Sequence, residues 1–112
     1  MRAPALTRRL VLEARSDVPD GMGGSDGTWV ALGTLWAEVT ARSGRETVVA
    51  GGESPRQPYR ILVRAAPVGA PSRPRTDQRF REGTRIFNIR TVQEADEGAR
   101  YLACLAEEAL ST

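Results

Sequence analysis

A catalytic chain needs a nucleophile, a base or a bound metal, and few residues here offer one at a useful spacing. Histidine is absent and cysteine occurs once, at Cys104. That removes zinc fingers, Cys–His nucleophiles, Ser–His triads and disulfide scaffolds together. Cys104 sits in an apolar run and reads as a small buried hydrophobe. A lone thiol also fits a reducing compartment, or a particle assembled inside a cell. Asp17, Asp20 and Asp26 share a glycine-rich loop, but their spacing is not that of a calcium-binding EF-hand, and the loop reads as solvated. Glu94, Asp96 and Glu97 form an acidic turn with nothing to desolvate it, so it reads as a hairpin end rather than an acid–base pair. Gly21-Met22-Gly23-Gly24 and Gly51-Gly52 lack the lysine of a phosphate-binding P-loop. No catalytic residue, metal site or cofactor is expected.

What the chain has in quantity is arginine. All sixteen basic residues are arginine, against fourteen carboxylates, for a net charge of +2. That surplus is too small to make nucleic-acid binding the default. The lack of lysine, beside plentiful Arg, Ala, Gly and Pro, has the look of GC-rich coding. Arg42, Arg45 and Arg56 lie in one expected loop. Arg73, Arg75, Arg79 and Arg81 lie in or after another. Singly, each reads as a solvated residue or a partner for a nearby carboxylate. Repeated around a ring axis, the same loops would line a pore with arginine and meet phosphates without reading bases. Trp29 and Trp36 read as sheet-packing residues or as anchors of a protein contact.

These side chains must be held by short strands. The chain has 112 residues, which predicts one domain over 1–112 with one modest core. Hydrophobic residues make up 40% and charged residues 27%, which excludes wholesale disorder, and no apolar run is long enough to span a membrane. The N-terminus is not read as a targeting segment, because Leu10-Val11-Leu12 is short and Glu13 interrupts it. Period-two alternation predicts strands at Arg9–Ala14, Thr28–Leu32, Thr34–Ala41, Tyr59–Ala66, Gln78–Arg81 and Arg85–Val92. Gly33 is expected to break the second from the third. In Arg85–Val92, Phe87, Ile89 and Thr91 are expected to share one face. Arg100–Leu105 fits helix or strand, and hairpin logic favours a strand paired back onto Arg85–Val92. Residues 15–27, 42–58 and 67–77 read as long loops. Within the middle one, the capping-box spacing of Ser43 and Glu46 predicts a short helix to about Ala50. The expected fold is all-β, a small barrel or sandwich of six or seven strands with long loops and one short helix.

The order of these motifs resembles a known family. Arg9-Leu10-Val11-Leu12 leads into a Gly/Asp-rich loop. Thr28-Trp29, Leu35-Trp36-Ala37-Glu38-Val39 and Ser43-Gly44-Arg45-Glu46 follow. Then come Tyr59-Arg60-Ile61-Leu62-Val63-Arg64, Arg85-Ile86-Phe87-Asn88-Ile89 and Leu102-Ala103-Cys104-Leu105-Ala106-Glu107. This is similar to the phage head–tail joining proteins, which include stoppers of siphophages and of related gene transfer agents. Only Pro67–Arg75 departs, being longer and richer in proline than the family pattern. The resemblance implies a β-barrel subunit forming a homo-oligomeric ring, a hexamer or dodecamer. It implies portal and adaptor proteins on the head side, a tail terminator on the other, and double-stranded DNA in the channel, met without sequence specificity. The place implied is a virion or virus-like particle assembled in the bacterial cytoplasm, with no membrane. On that footing Arg42, Arg45 and Arg56 are the expected channel-facing charges. Gly44, Glu46, Trp29, Trp36, Arg73 and Arg75 are expected at subunit or partner contacts. A tail terminator or adaptor is the second reading, and an oligonucleotide-binding barrel the third.

Overall fold

The computed structural model describes residues 3–16, 27–42, 45–49 and 52–109. Seven strands follow one another: β1 (Arg8–Arg15), β2 (Trp29–Ala41), β3 (Arg45–Val49), β4 (Gly52–Arg64), β5 (Arg79–Glu82), β6 (Arg85–Glu94) and β7 (Tyr101–Ala109). Their order in the sheet is β2-β1-β5-β6-β7-β4-β3, and β2 also pairs with β4, which closes six of them into an antiparallel barrel. The fold is all-β, as the alternation predicts. The Asp17, Asp20 and Asp26 loop lies outside the described residues, as do Ser43, Gly44 and Ala50 of the expected helix.

The core follows from period two. Leu10, Leu12, Ile61, Val63, Phe80, Phe87, Leu102 and Cys104 are all fully buried, each from the inward parity of its strand. Tyr59 meets Phe87 edge to face, with ring centroids 5.1 Å apart. Cys104 is among these core residues, and burial pushes its thiol pKa up to about 12. It behaves as the apolar residue its neighbours suggest.

Two bulges break the parity. In β6 the register steps between Ile89 and Thr91, leaving Arg90 without a rung opposite β7. Beyond it the inward set changes, so that Val92, not Thr91, packs on the core. The expected shared face of Phe87, Ile89 and Thr91 is therefore corrected at Thr91. In β2 the register steps opposite Leu12 and Glu13, which pair with Gly33 and Ala31. Gly33 does not break the strand as expected. It sits beside the bulge, and β2 runs unbroken over 13 residues.

β2 is also the seam of the barrel. Its first part, Trp29 to Ala37, pairs with β1. From Ala37 to Ala41 it pairs with β4 on its other side. β3 then continues along the same edge of β4, Arg45 opposite Arg56 and Val49 opposite Gly52. This corrects two expectations. The helix expected from Ser43 is a strand from Arg45 onward, and the expected loop 42–58 is a hairpin arm. The capping-box spacing is a local signal, whereas Thr47, Val48 and Val49 are β-branched and find a partner strand. Pro55 and Pro58 do not prevent this, because their fixed φ suits an extended backbone. The Pro58 carbonyl accepts from the Arg42 N–H at 2.9 Å. Arg56 is the last residue of the arm that β7 flanks, opposite Ala109. From Pro55 back to Gly52 no barrel strand among the described residues lies beside β4, so the hairpin projects about 13 Å beyond that rung.

Loop 66–78 closes one end of the barrel. Pro74 is fully buried there, and the Arg73 guanidinium donates to the Ala66 carbonyl at 2.9 Å.

Candidate functional site

The arginines separate into groups by what they meet. The barrel end opposite loop 66–78 carries a closed ionic cluster on the inward parity of β1, β4, β5, β6 and β7. Arg8 holds Glu82 through Nε and Nη2, at 2.9 and 2.6 Å. Arg85 holds Glu108 the same way, at 2.8 and 3.0 Å, and its Nη2 also donates to the Tyr59 hydroxyl at 3.0 Å. The Arg85 guanidinium lies 4.9 Å from the centroid of the Phe87 ring. The hydrogen bond from Arg85 holds the Glu108 carboxyl below its usual range, and that from Arg8 does the same for Glu82. Two forked pairs of opposite charge leave this cluster neutral, so it seals the core.

A second group lies on the outer wall. Glu13 is 6% exposed and accepts from both Arg79 and Arg81 at 2.8 Å. Burial pushes its carboxyl pKa up, and the two guanidinium bonds outweigh that, so the net shift is down. Arg79 stacks on Trp29 at 4.1 Å, with Arg15 at 5.8 Å from the same ring. Trp29 is thus half-buried within the subunit's own wall. Trp36 is different: it is 55% exposed. With Leu6 and Arg64 it lines a shallow depression.

The third group is open. A cleft of about 720 Å³ lies at the root of the β3–β4 hairpin, lined by Arg42, Arg56, Pro58, Tyr59, Arg90 and Glu107 among others. The step in pairing between Ala41–Tyr59 and Arg45–Arg56 places Arg42 there, since one arm carries one residue more than the other. Gln57 fastens this step by donating to the Arg42 carbonyl at 2.6 Å. Arg90 arrives from the β6 bulge. Its Nε donates to Glu107 at 2.9 Å. Among the described residues neither Arg42 nor Arg56 meets a carboxylate. Among the described lining residues, three guanidinium groups stand against one carboxylate, a surplus of two positive charges. Such a cleft suits an anionic surface, phosphate or carboxylate, held through charge-assisted bonds.

The structure therefore brings Arg42 and Arg56 together, and places Arg45 opposite Arg56 on the neighbouring strand. Glu46 lies on β3 opposite Pro55. Gly44 lies outside the described residues. Arg73 and Arg75 do not line the cleft. Arg73 braces loop 66–78, and Arg75 is exposed with a loose pair to Asp77 at 3.7 Å. Sequence reasoning missed Arg90, Glu107 and Tyr59 as cleft residues, because strands distant in sequence supply them. The acidic turn is a hairpin end: Asp96 accepts from the backbone N–H groups of Arg100 and Tyr101 at 2.9 and 3.2 Å. Among the described residues no group of His, Cys, Asp and Glu could hold a metal ion. Likewise, no helix there is long and apolar enough to cross a membrane.

Comparison with known proteins agrees with this architecture. The sequence profile described as phage head completion protein matches residues 1–109. A chain from the virion of a native gene transfer agent particle is 50% identical. That match covers 98% of this chain and 100% of the other, with a TM-score of 0.87. Protein SF1141 from Shigella flexneri 2a, solved in solution, is 22% identical with a TM-score of 0.71 and covers the whole of both chains, a likeness of fold. No protein of curated function matches.

Proposed function

The chain belongs to the phage head completion protein family, and from that premise we propose that it is the stopper of a head–tail connector. It is a structural virion protein, and it works by repetition. One chain, 50 Å in its longest dimension, cannot encircle duplex DNA. The DNA needs a hole of about 20 Å or more, given grooves of ~12 and ~6 Å. Cyclic copies of a rigid barrel make such a hole. The portal and adaptor sit above the ring and the tail terminator below, and the channel loops retain packaged DNA until ejection.

The observation that carries this reading is the projecting β3–β4 hairpin, with Arg42 and Arg56 at its root and no carboxylate partner for either among the described residues. Multiplied by the subunit number, those charges become a collar that attracts phosphates and reads no base. The competing oligonucleotide-binding barrel needs aromatic platforms on its surface. Phe80 and Phe87 are instead buried in the core, Tyr59 packs against it and is bonded to Arg85, and Trp29 is held by its arginines. Trp36 is thus the single exposed ring among the described residues, and no platform of several forms. An adaptor is expected to be helical, and the described residues are strands and turns.

The test is removal of the hairpin. Deleting Gly44–Ser54 removes β3 and the first three residues of β4 but none of the rungs that β4 shares with β2 and β7. The expected outcome is a folded subunit in particles that lose DNA or lack tails, scored by electron microscopy and packaged-DNA content. Filled, tailed particles at normal yield would reject the assignment.

A further inference from the structure

The seam strand that closes the barrel leaves two backbone edges without partners. Along Trp29–Trp36, β2 pairs with β1 on one side only; β4 joins its other side first at Ala37. Along Arg45–Val49, β3 pairs with β4 on one side only. Among the described residues no strand covers either free edge. The two edges face opposite ways. β4 takes the second side of the arm from Ala37 on through β3, so the side left open beyond Ala37 is the one β1 occupied before it.

The first edge is also unguarded. Natural edge strands carry lysine, proline or inward charges that prevent pairing with other chains. Trp29-Val30-Ala31-Leu32-Gly33-Thr34-Leu35-Trp36 has no charge and no proline. Its one irregularity, the bulge, leaves Leu32 at 37% exposure, beside Val30 at 47%. A free apolar edge of eight residues aggregates unless something covers it.

We propose that this edge is covered by a second copy of the chain: the free edge of β3 in one subunit adds to the free edge of β2, Trp29–Trp36, in the next. The occupant follows from the geometry of the arm. A β2–β2 contact would be isologous and would close after two copies, whereas two different edges facing opposite ways give a head-to-tail contact that repeats. Main-chain bonds supply the affinity, and the hairpin's projection supplies the reach. This inference rests on the ring reading above, and it makes the β3–β4 hairpin a strap between subunits as well as a bearer of charge.

The test is cysteine cross-linking in assembled particles. Thr34→Cys marks the β2 edge and Thr47→Cys marks β3. Native Cys104 stays silent, because it is buried and its thiol pKa is pushed up to about 12. With a short bismaleimide, the double variant is expected to convert the monomer band into a ladder ending at the ring number. Either single variant should give monomer alone. A covalent dimer from Thr34→Cys alone would overturn the proposal in favour of β2–β2 pairing. A cross-link to a different virion protein would assign the edge to that neighbour and overturn it equally. A ring visible by electron microscopy with no ladder would overturn edge pairing while leaving the ring reading intact. Particles with no ring at all would overturn both. A second variant guards against trivial misfolding. Leu32→Lys charges an exposed edge position, so it should keep the melting temperature of the free chain and lose incorporation into particles. Normal incorporation of Leu32→Lys would count against the proposal.

Discussion

Two arginine clusters of this small barrel differ in one respect, whether a carboxylate answers each guanidinium. At the sealed end, Arg8 faces Glu82 and Arg85 faces Glu108, each pair forked. At the hairpin root, Arg42 and Arg56 stand without such a partner among the described residues, and only Arg90 has one, Glu107. The same residue type thus does opposite work. The neutral cluster caps the core and has no charge left for a partner. The positive cleft has only the Arg90–Glu107 pair and, among the described residues, a surplus of charge that no carboxylate answers. A high arginine count says nothing about function until the pairing is known.

The widest gap between the clusters is expected in stability. Arg85→Ala removes both bonds to Glu108 and the bond to Tyr59, leaving Glu108 with 14% side-chain exposure and only the unbonded charge of Arg8 nearby. Charge-assisted bonds of this kind contribute roughly 1.5–3 kcal/mol when buried. Arg85 is itself 41% exposed, so solvent screening reduces the value. The expected loss is about 2 kcal/mol, read as a lower denaturant midpoint at unchanged slope. A loss under about 0.5 kcal/mol would place Arg85 with ordinary surface residues and dissolve the contrast.

Much of this fold is legible in the sequence, for a reason that particular residues show. Leu10 and Leu12, Phe80, and Phe87 with Ile89 announce their faces because a strand with one buried side must alternate. The alternation fails at Arg90, where one extra residue exchanges the faces and Val92 takes the place expected for Thr91. No residue type marks that bulge. The β3 strand was obscured by a different conflict. Ser43 and Glu46 carry a helix-start spacing, while the partner that makes Arg45–Val49 a strand lies across the hairpin. Of the cleft, Arg42 and Arg56 are legible as a pair in one segment. Arg90 and Glu107 are not, since barrel closure alone brings β6 and β7 to the hairpin root.

Acid should separate the clusters next, with a smaller effect. The Glu82 and Glu108 carboxyls are held down chiefly by the hydrogen bonds from Arg8 and Arg85. Their folded pKa values lie below the ~4.3 of an unfolded glutamate. Between the two values the unfolded chain binds more protons, so stability rises with pH there. The contribution is complete above about pH 4.3 and is lost as pH falls through the folded values. Melting temperature is expected to fall steeply below that point. Glu108→Gln should start lower and fall less steeply, having one titrating carboxylate fewer at that end. Equal slopes in the two proteins would show that the sealed end does not drive acid unfolding.

The smallest stability effect is the most informative about function. Arg42→Ala and Arg56→Ala, alone or together, remove charges with no carboxylate to strand among the described residues. Each is expected to change stability by no more than about 0.5 kcal/mol, as surface substitutions do. Particles carrying both changes should nonetheless retain less DNA than wild type. The deficit should shrink at low salt, where the remaining charges act over a longer range. That combination, an intact subunit and a leaking particle, cannot arise from the Arg85 substitution, which fails in folding first. If the double change destabilises the free chain as much as Arg85→Ala, the cleft arginines are structural. The excess charge at the hairpin root would then need no partner to explain it.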